Sequence, residues 1–147
     1  GFPIGAMLVG DKAADAMQFG AHGTTFGGNP LAASVARAAL REISSPQLLA
    51  NVERQSLAIR SALQEMDAEL HLFAEIRGFG LMLGAQLRPE HAGKAGQILD
   101  LCVEQGLLML QAGPDVLRFV PALNISDADI AEGLSRLSAA LKAFVAA

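Results

Sequence analysis

The sequence is 147 residues long, with 52% hydrophobic residues, 5% aromatics, and neither Trp nor Tyr. That length suffices for one ordinary domain with a real core. The net charge is −4, and the eleven basic residues are scattered rather than gathered into a stripe, which argues against nucleic acid as a partner.

No apolar run approaches the roughly 18 residues of a membrane span. No stretch reads as a basic segment leading into an apolar secretion signal, so no membrane association is expected and the cytoplasm is the default compartment. Cys102 is the sole cysteine, which excludes an intrachain disulfide and a thiolate metal cluster. Its thiol reads as core filling.

In chain order, Phe2 to Val9 is apolar and strand-like, and it begins at Gly1 as if entered in mid-course. A natural domain rarely starts without a lead-in, so the sequence is expected to be part of a longer chain. Lys12 to Phe19 suits a short helix. Gly20 to Asn29 holds four glycines, Thr24, Thr25 and His22, a loop by composition. Asn29 and Pro30 then form a helix start, as cap and first-turn residue, and Leu31, Val35, Ala38 and Ala39 follow at helical spacing.

Ser45 and Pro46 restart the pattern. Leu49, Val52, Ser56, Ile59, Leu63, Met66 and Leu70 fall at alternating gaps of three and four, one stripe of a long helix interrupted only by Ser56. The period changes after Leu70. Leu72 to Ile76 suits a strand, Arg77-Gly78-Phe79-Gly80 a bend or bulge, and Leu81, Leu83, Ala85 and Leu87 the inward face of a second strand. Ala95, Ile98, Leu99 and Cys102 form a further helical face, which Gly106 is placed to end.

Leu107 to Leu110 and Val116 to Val120 read as short strands around a Gly113-Pro114 turn. Ser126 with Asp129 resembles a capping box. It opens a last helix with the stripe Ile130, Leu134, Leu137, Leu141 and Phe144. The expected fold is therefore an α/β sandwich of the α+β kind, in which helices cover a small, mainly antiparallel sheet.

Four spots could carry chemistry. The Gly/Thr loop from His22 to Pro30 offers hydroxyl donors and close backbone approach ahead of a helix, and on physics alone it is either a phosphate contact or an ordinary tight loop. Arg118 lies in a strand on the side opposite Leu117 and Phe119. There it is either an anchor for a carboxylate or half of a salt bridge. Arg77 reads as structural. His22, His71 and His91 lack metal-ligand spacing, so no metal site is expected, and no serine sits in a nucleophile elbow.

Taken together, four stretches closely resemble class III aminotransferases across the whole chain and in the right order. They are Gly1 to Met7, His22 to Leu31, Arg77 to Leu81, and Gln111 to Pro121. The last is similar to the acetylornithine and succinylornithine branch. The resemblance implies the C-terminal portion of a fold-type I enzyme that uses pyridoxal phosphate. Residues 1–40 would be a remnant of the large cofactor domain and residues 41–147 the small C-terminal domain.

The resemblance further implies that Thr25, with Thr24 beside it, donates to the cofactor phosphate bound in the partner of a homodimer. Arg118 would hold the α-carboxylate of the amino-acid substrate or of 2-oxoglutarate. The family's Schiff-base lysine lies shortly before the position of Gly1, and Lys12, Lys94 and Lys142 do not match it. The chain alone is thus expected to be inactive. The competing readings are a stand-alone module that binds an amino acid or a dicarboxylate, and a self-sufficient enzyme using one of those three lysines. Residues 1 to 28, parted from the surfaces they would cover, are expected to expose apolar area and either to self-associate or to be disordered.

Overall fold

The computed structural model of the chain describes residues 2–21 and 23–146. It contains two compact units, Gly1–Ser45 and Pro46–Ala147.

The first unit holds two helices, α1 (Asp11–Ala14) and α2 (Pro30–Ile43). The helix expected from Lys12 to Phe19 shrinks to four residues because it buries no side chain, and short helices are marginal without tertiary packing. Phe2 to Val9 is not a strand. Its apolar pattern has no ladder partner among the described residues, and an unpaired extended segment gains none of the stabilisation of a sheet. Phe2, Ile4, Met7, Leu8, Phe19 and Phe26 are exposed, as expected of this region. Helix α2 begins where Asn29 and Pro30 place it: the Asn29 side chain accepts from the Ala32 N–H at 2.9 Å.

The second unit contains α3 (Pro46–Leu70), β1 (Phe73–Phe79), β2 (Met82–Leu87), a 3₁₀ turn (Pro89–His91), α4 (Ala95–Glu104), β3 (Leu110–Gln111), β4 (Val116–Phe119) and α5 (Asp127–Ala146). The sheet order is β1-β2-β4-β3 and every pairing is antiparallel. Helices α3, α4 and α5 cover one face. The core joins Ile59 and Leu63 of α3, Leu83, Ala85 and Leu117 of the sheet, Ile98 and Cys102 of α4, and Leu137 and Leu141 of α5. The α/β architecture read from the sequence is the one observed.

The α3 stripe is buried from Ser56 to Leu63, with Val52, Met66 and Leu70 packed at its margin, whereas Leu49 is exposed. His71 ends the helix with a φ of 53°, and its N–H reaches the Asp67 carbonyl at 2.8 Å. Asp67 also accepts from the Phe73 N–H at 2.6 Å and pairs with Arg88 at 3.2 Å, so one carboxylate sets the entry into β1.

The bend expected at Arg77 to Gly80 lies later in the chain. Residues 77–79 belong to β1, and the tight turn falls at Gly80 and Leu81 between the paired Phe79 and Met82. The one register shift in this hairpin sits between Phe73 and Glu75, which lets both Phe73 and Ile76 face the core. The strand expected over Leu107 to Leu110 is confined to Leu110 and Gln111, because only these two residues find partners on β4.

Gly106, at φ 71°, ends α4 as expected. At α5, Ser126 Oγ accepts from the Asp129 N–H at 3.1 Å and donates to its carboxylate at 2.6 Å. Among the described residues no helix is long and apolar enough to cross a membrane.

Candidate functional site

The face of the sheet turned away from the helices is built by alternation. On β2, Leu83, Ala85 and Leu87 enter the core, which sends Met82, Gly84 and Gln86 to the open face. Antiparallel pairing places Arg77 and Arg118 on either side of Gly84, with Leu110 beyond Arg118. Arg77, Gly84 and Arg118 line an open cleft of about 690 Å³ with Phe79 and Met82 on its rim.

The two arginines differ in their engagements. Arg77 pairs with Glu75 at 2.8 Å and donates to Gln86 Oε1 at 3.3 Å. It is a strand residue of the open face rather than a turn residue, and its guanidinium is already engaged. Arg118 is exposed, and no ion pair or hydrogen bond engages its side chain among the described residues. Its setting among Val116, Leu117, Phe119 and Val120 therefore carries no desolvation cost within this chain, since alternation leaves it on the open side. An unengaged planar fork of five donors suits a carboxylate.

Strand β4 is held in place from several directions. The Leu87 N–H donates to the Asp115 carbonyl at 2.8 Å, the Ala95 N–H to the Pro114 carbonyl at 3.1 Å, and the Ala112 N–H to the Val116 carbonyl at 2.9 Å. After β4, Asn51 of α3 donates to the carbonyls of Leu123 and Ile125 at 2.8 and 3.2 Å. The Asp127 carboxylate accepts from the buried Gln55 and from Arg54, and these donors hold its pKa below the ordinary aspartate value. The start of the strand and the segment after it are thus pinned to the helical layer. An apolar groove of about 320 Å³ runs from Arg118 past Leu110 and Phe119 to Ile130 and Leu134 of α5.

In the first unit, Thr24 and Thr25 are exposed in the turn before α2. The Gly27 N–H donates to the Thr24 carbonyl at 3.4 Å, and Asn29 Nδ2 donates to the Phe26 carbonyl at 2.7 Å. Gly27 leaves room for Thr24, because a Cβ at residue 27 would lie 2.3 Å from the Thr24 hydroxyl oxygen. The threonine hydroxyls can therefore donate to a phosphate approaching the loop. His22 lies outside the described residues.

Among the described residues no group of three or more His, Cys, Asp or Glu side chains could hold a metal ion. Cys102 is fully buried and burial pushes its thiol up to about 11, in keeping with core filling. Gly84 escaped the sequence reading. Its signal was a glycine standing alone in the outward set Met82, Gly84 and Gln86.

The model of class III aminotransferases matches residues 1–141, and the chain belongs to that family. Among curated relatives, it is 67% identical to the acetylornithine aminotransferase of Xanthomonas campestris pv. campestris over 99% of its own length. It is 47% identical to a succinylornithine transaminase/acetylornithine aminotransferase of Pseudomonas aeruginosa. The chain spans 36% of the length of each of these relatives.

Among solved structures, an N-acetylornithine aminotransferase from Stenotrophomonas maltophilia K279a superposes with a TM-score of 0.76 at 60% identity, over 81% of this chain and 33% of that one. The ornithine aminotransferase of Toxoplasma gondii ME49 does so with a TM-score of 0.78 at 30% identity, over 89% of this chain and 31% of that one.

Proposed function

We propose that this chain works as the C-terminal part of a cytoplasmic, homodimeric transaminase that moves the amino group of N-acetylornithine, or of a close relative such as succinylornithine, to 2-oxoglutarate. Residues 1–40 belong on this reading to the large cofactor-binding domain and residues 41–147 to the small domain. The observation that carries the proposal is Arg118: an unengaged guanidinium on the open face of a sheet whose other face is covered by helices. The names of the relatives support the choice of substrates.

Pyridoxal phosphate, when bound, supplies the electron sink and carries the amino group between the two substrates. Arg118 receives the α-carboxylate of the amino acid or of 2-oxoglutarate in a two-pronged, charge-assisted contact. That contact fixes which carbon is presented to the reacting centre and holds it there. The Thr25 hydroxyl, with Thr24 beside it, donates to the phosphate and so anchors the cofactor end that does not react. The 147 residues hold three lysines, Lys12, Lys94 and Lys142, and none matches the family's Schiff-base position. The isolated chain therefore holds substrate and phosphate contacts without the amine that moves the proton.

The test uses a graft, in which this sequence replaces the matching segment of the Xanthomonas campestris relative. Arg118→Gln in that graft is expected to raise KM for 2-oxoglutarate by roughly 10- to 100-fold, from the loss of a charge-assisted bond of about 1.5–3 kcal/mol. An unchanged KM in a folded variant would remove Arg118 from the site.

A further inference from the structure

Gly84 sits in the interior of a central strand, where glycine weakens a sheet unless something must come close. Its backbone does not require glycine. It pairs on both sides as a regular strand residue and is absent from the positive-φ positions. Space does not strictly require it either, since an added Cβ would meet only Val116 Cγ1, at 3.1 Å. What distinguishes the position is its pair of neighbours. Arg77 and Arg118 are its direct cross-strand partners on the open face, each one strand spacing, about 4.8 Å, away.

Arg77 is engaged by Glu75 and Gln86, while no group among the described residues engages Arg118. The open face therefore carries one unsatisfied guanidinium beside a strip of bare backbone. Any side chain at residue 84 would stand between the two arginines, on the floor of the cleft they line.

We infer that Gly84 is a positioning residue: its bare backbone is the floor on which the Arg118 guanidinium and the carboxylate it holds lie flat, with the Glu75–Arg77 pair as the far wall. The floor sets the height of the carboxylate above the sheet and admits a planar, two-pronged contact. A side chain there lifts or tilts the fork and leaves at most a single bond. The inference rests on the reading of Arg118 as the substrate-carboxylate anchor.

The experiment uses the same graft with 2-oxoglutarate as probe. Gly84→Val is expected to raise KM for 2-oxoglutarate by roughly tenfold or more, with kcat at saturation changed by less than about threefold, because the effect is on binding. Valine favours strands, and thermal unfolding checks that the variant folds. The double variant Gly84→Ala with Val116→Ala removes the one tight neighbour and keeps a methyl on the floor. It should retain a raised KM, and it decides the matter if Gly84→Val does not fold.

A double variant with the parent KM would show that the glycine serves only packing against Val116, and would overturn the inference. If Arg118→Gln raises KM while both Gly84 variants leave it unchanged, the inference falls and the role of Arg118 stands. If Arg118→Gln also leaves KM unchanged, both fall together.

Discussion

Gly78→Ala is the substitution whose cost the structure sets most clearly. Gly78 has a φ of 130°, a backbone setting that L side chains rarely adopt, and strain of this kind costs about 1–3 kcal/mol. An added Cβ would lie 2.1 Å from the Met82 carbonyl oxygen and 2.9 Å from Leu83 Cα. Both are backbone atoms of the paired strand, so no side chain can rotate away. The hairpin must open by about 1 Å, which weakens ladder bonds worth about 0.5–1.5 kcal/mol each. It also disturbs the carbonyl to which Arg60 donates at 2.7 Å.

With two such bonds weakened the sum is about 2–6 kcal/mol, a large fraction of the 5–15 kcal/mol typical of a domain. In a domain of this size that corresponds to a fall in Tm of roughly 8 °C or more. The control is Gly93→Ala, which shares a positive φ of 79° but meets no atom within 4 Å. It should cost only about 1 kcal/mol. Thermal unfolding followed by circular dichroism on the full chain measures both. Equal losses for the two variants, or a Gly78→Ala loss below about 1 kcal/mol, would refute the steric argument.

The Asp127 carboxylate is held below its ordinary pKa by Gln55 and Arg54. Its stabilisation is therefore complete above the unfolded value of about 3.9 and is lost as pH falls through the lower folded value. Tm profiles of the parent and Asp127→Asn should converge on acidification, and parallel profiles would contradict the assignment. Cys102, fully buried with its thiol pushed up to about 11, should resist an exposed-thiol reagent at pH 8 in the folded chain and react once it is unfolded. Rapid modification of the folded protein would show that α4 does not seal it in.

Much of the fold was legible because its helices carry long periodic signals. Ile130, Leu137, Leu141 and Phe144 are buried on α5, and Ile59 and Leu63 on α3, as their spacing demands. The strands were less legible, because a strand exists only with a partner. Phe2 to Val9 has the composition without the pairing, and Leu107 to Met109 lies outside the ladder on β4. The Gly-rich hairpin was misplaced because two glycines offered two turn positions, and the register chose the second.

The same non-locality hid the site. The loop around Thr24 and Thr25 and the strand of Arg118 could be read along the sequence. Register alone brings Arg77 and Arg118 to either side of Gly84. The burial of Gln55 against Asp127 was likewise invisible, since 72 residues separate them.

On the proposed function, this chain supplies the substrate-carboxylate half of an acetylornithine transaminase and lacks the amine that completes it. The most direct measurement is transamination from N-acetylornithine to 2-oxoglutarate by the graft and by the isolated chain, each given pyridoxal phosphate. Turnover by the graft is expected within about tenfold of the intact Xanthomonas enzyme, a barrier difference of about 1.4 kcal/mol, and none by the isolated chain. A folded graft without activity, or turnover by the 147 residues alone, would contradict it.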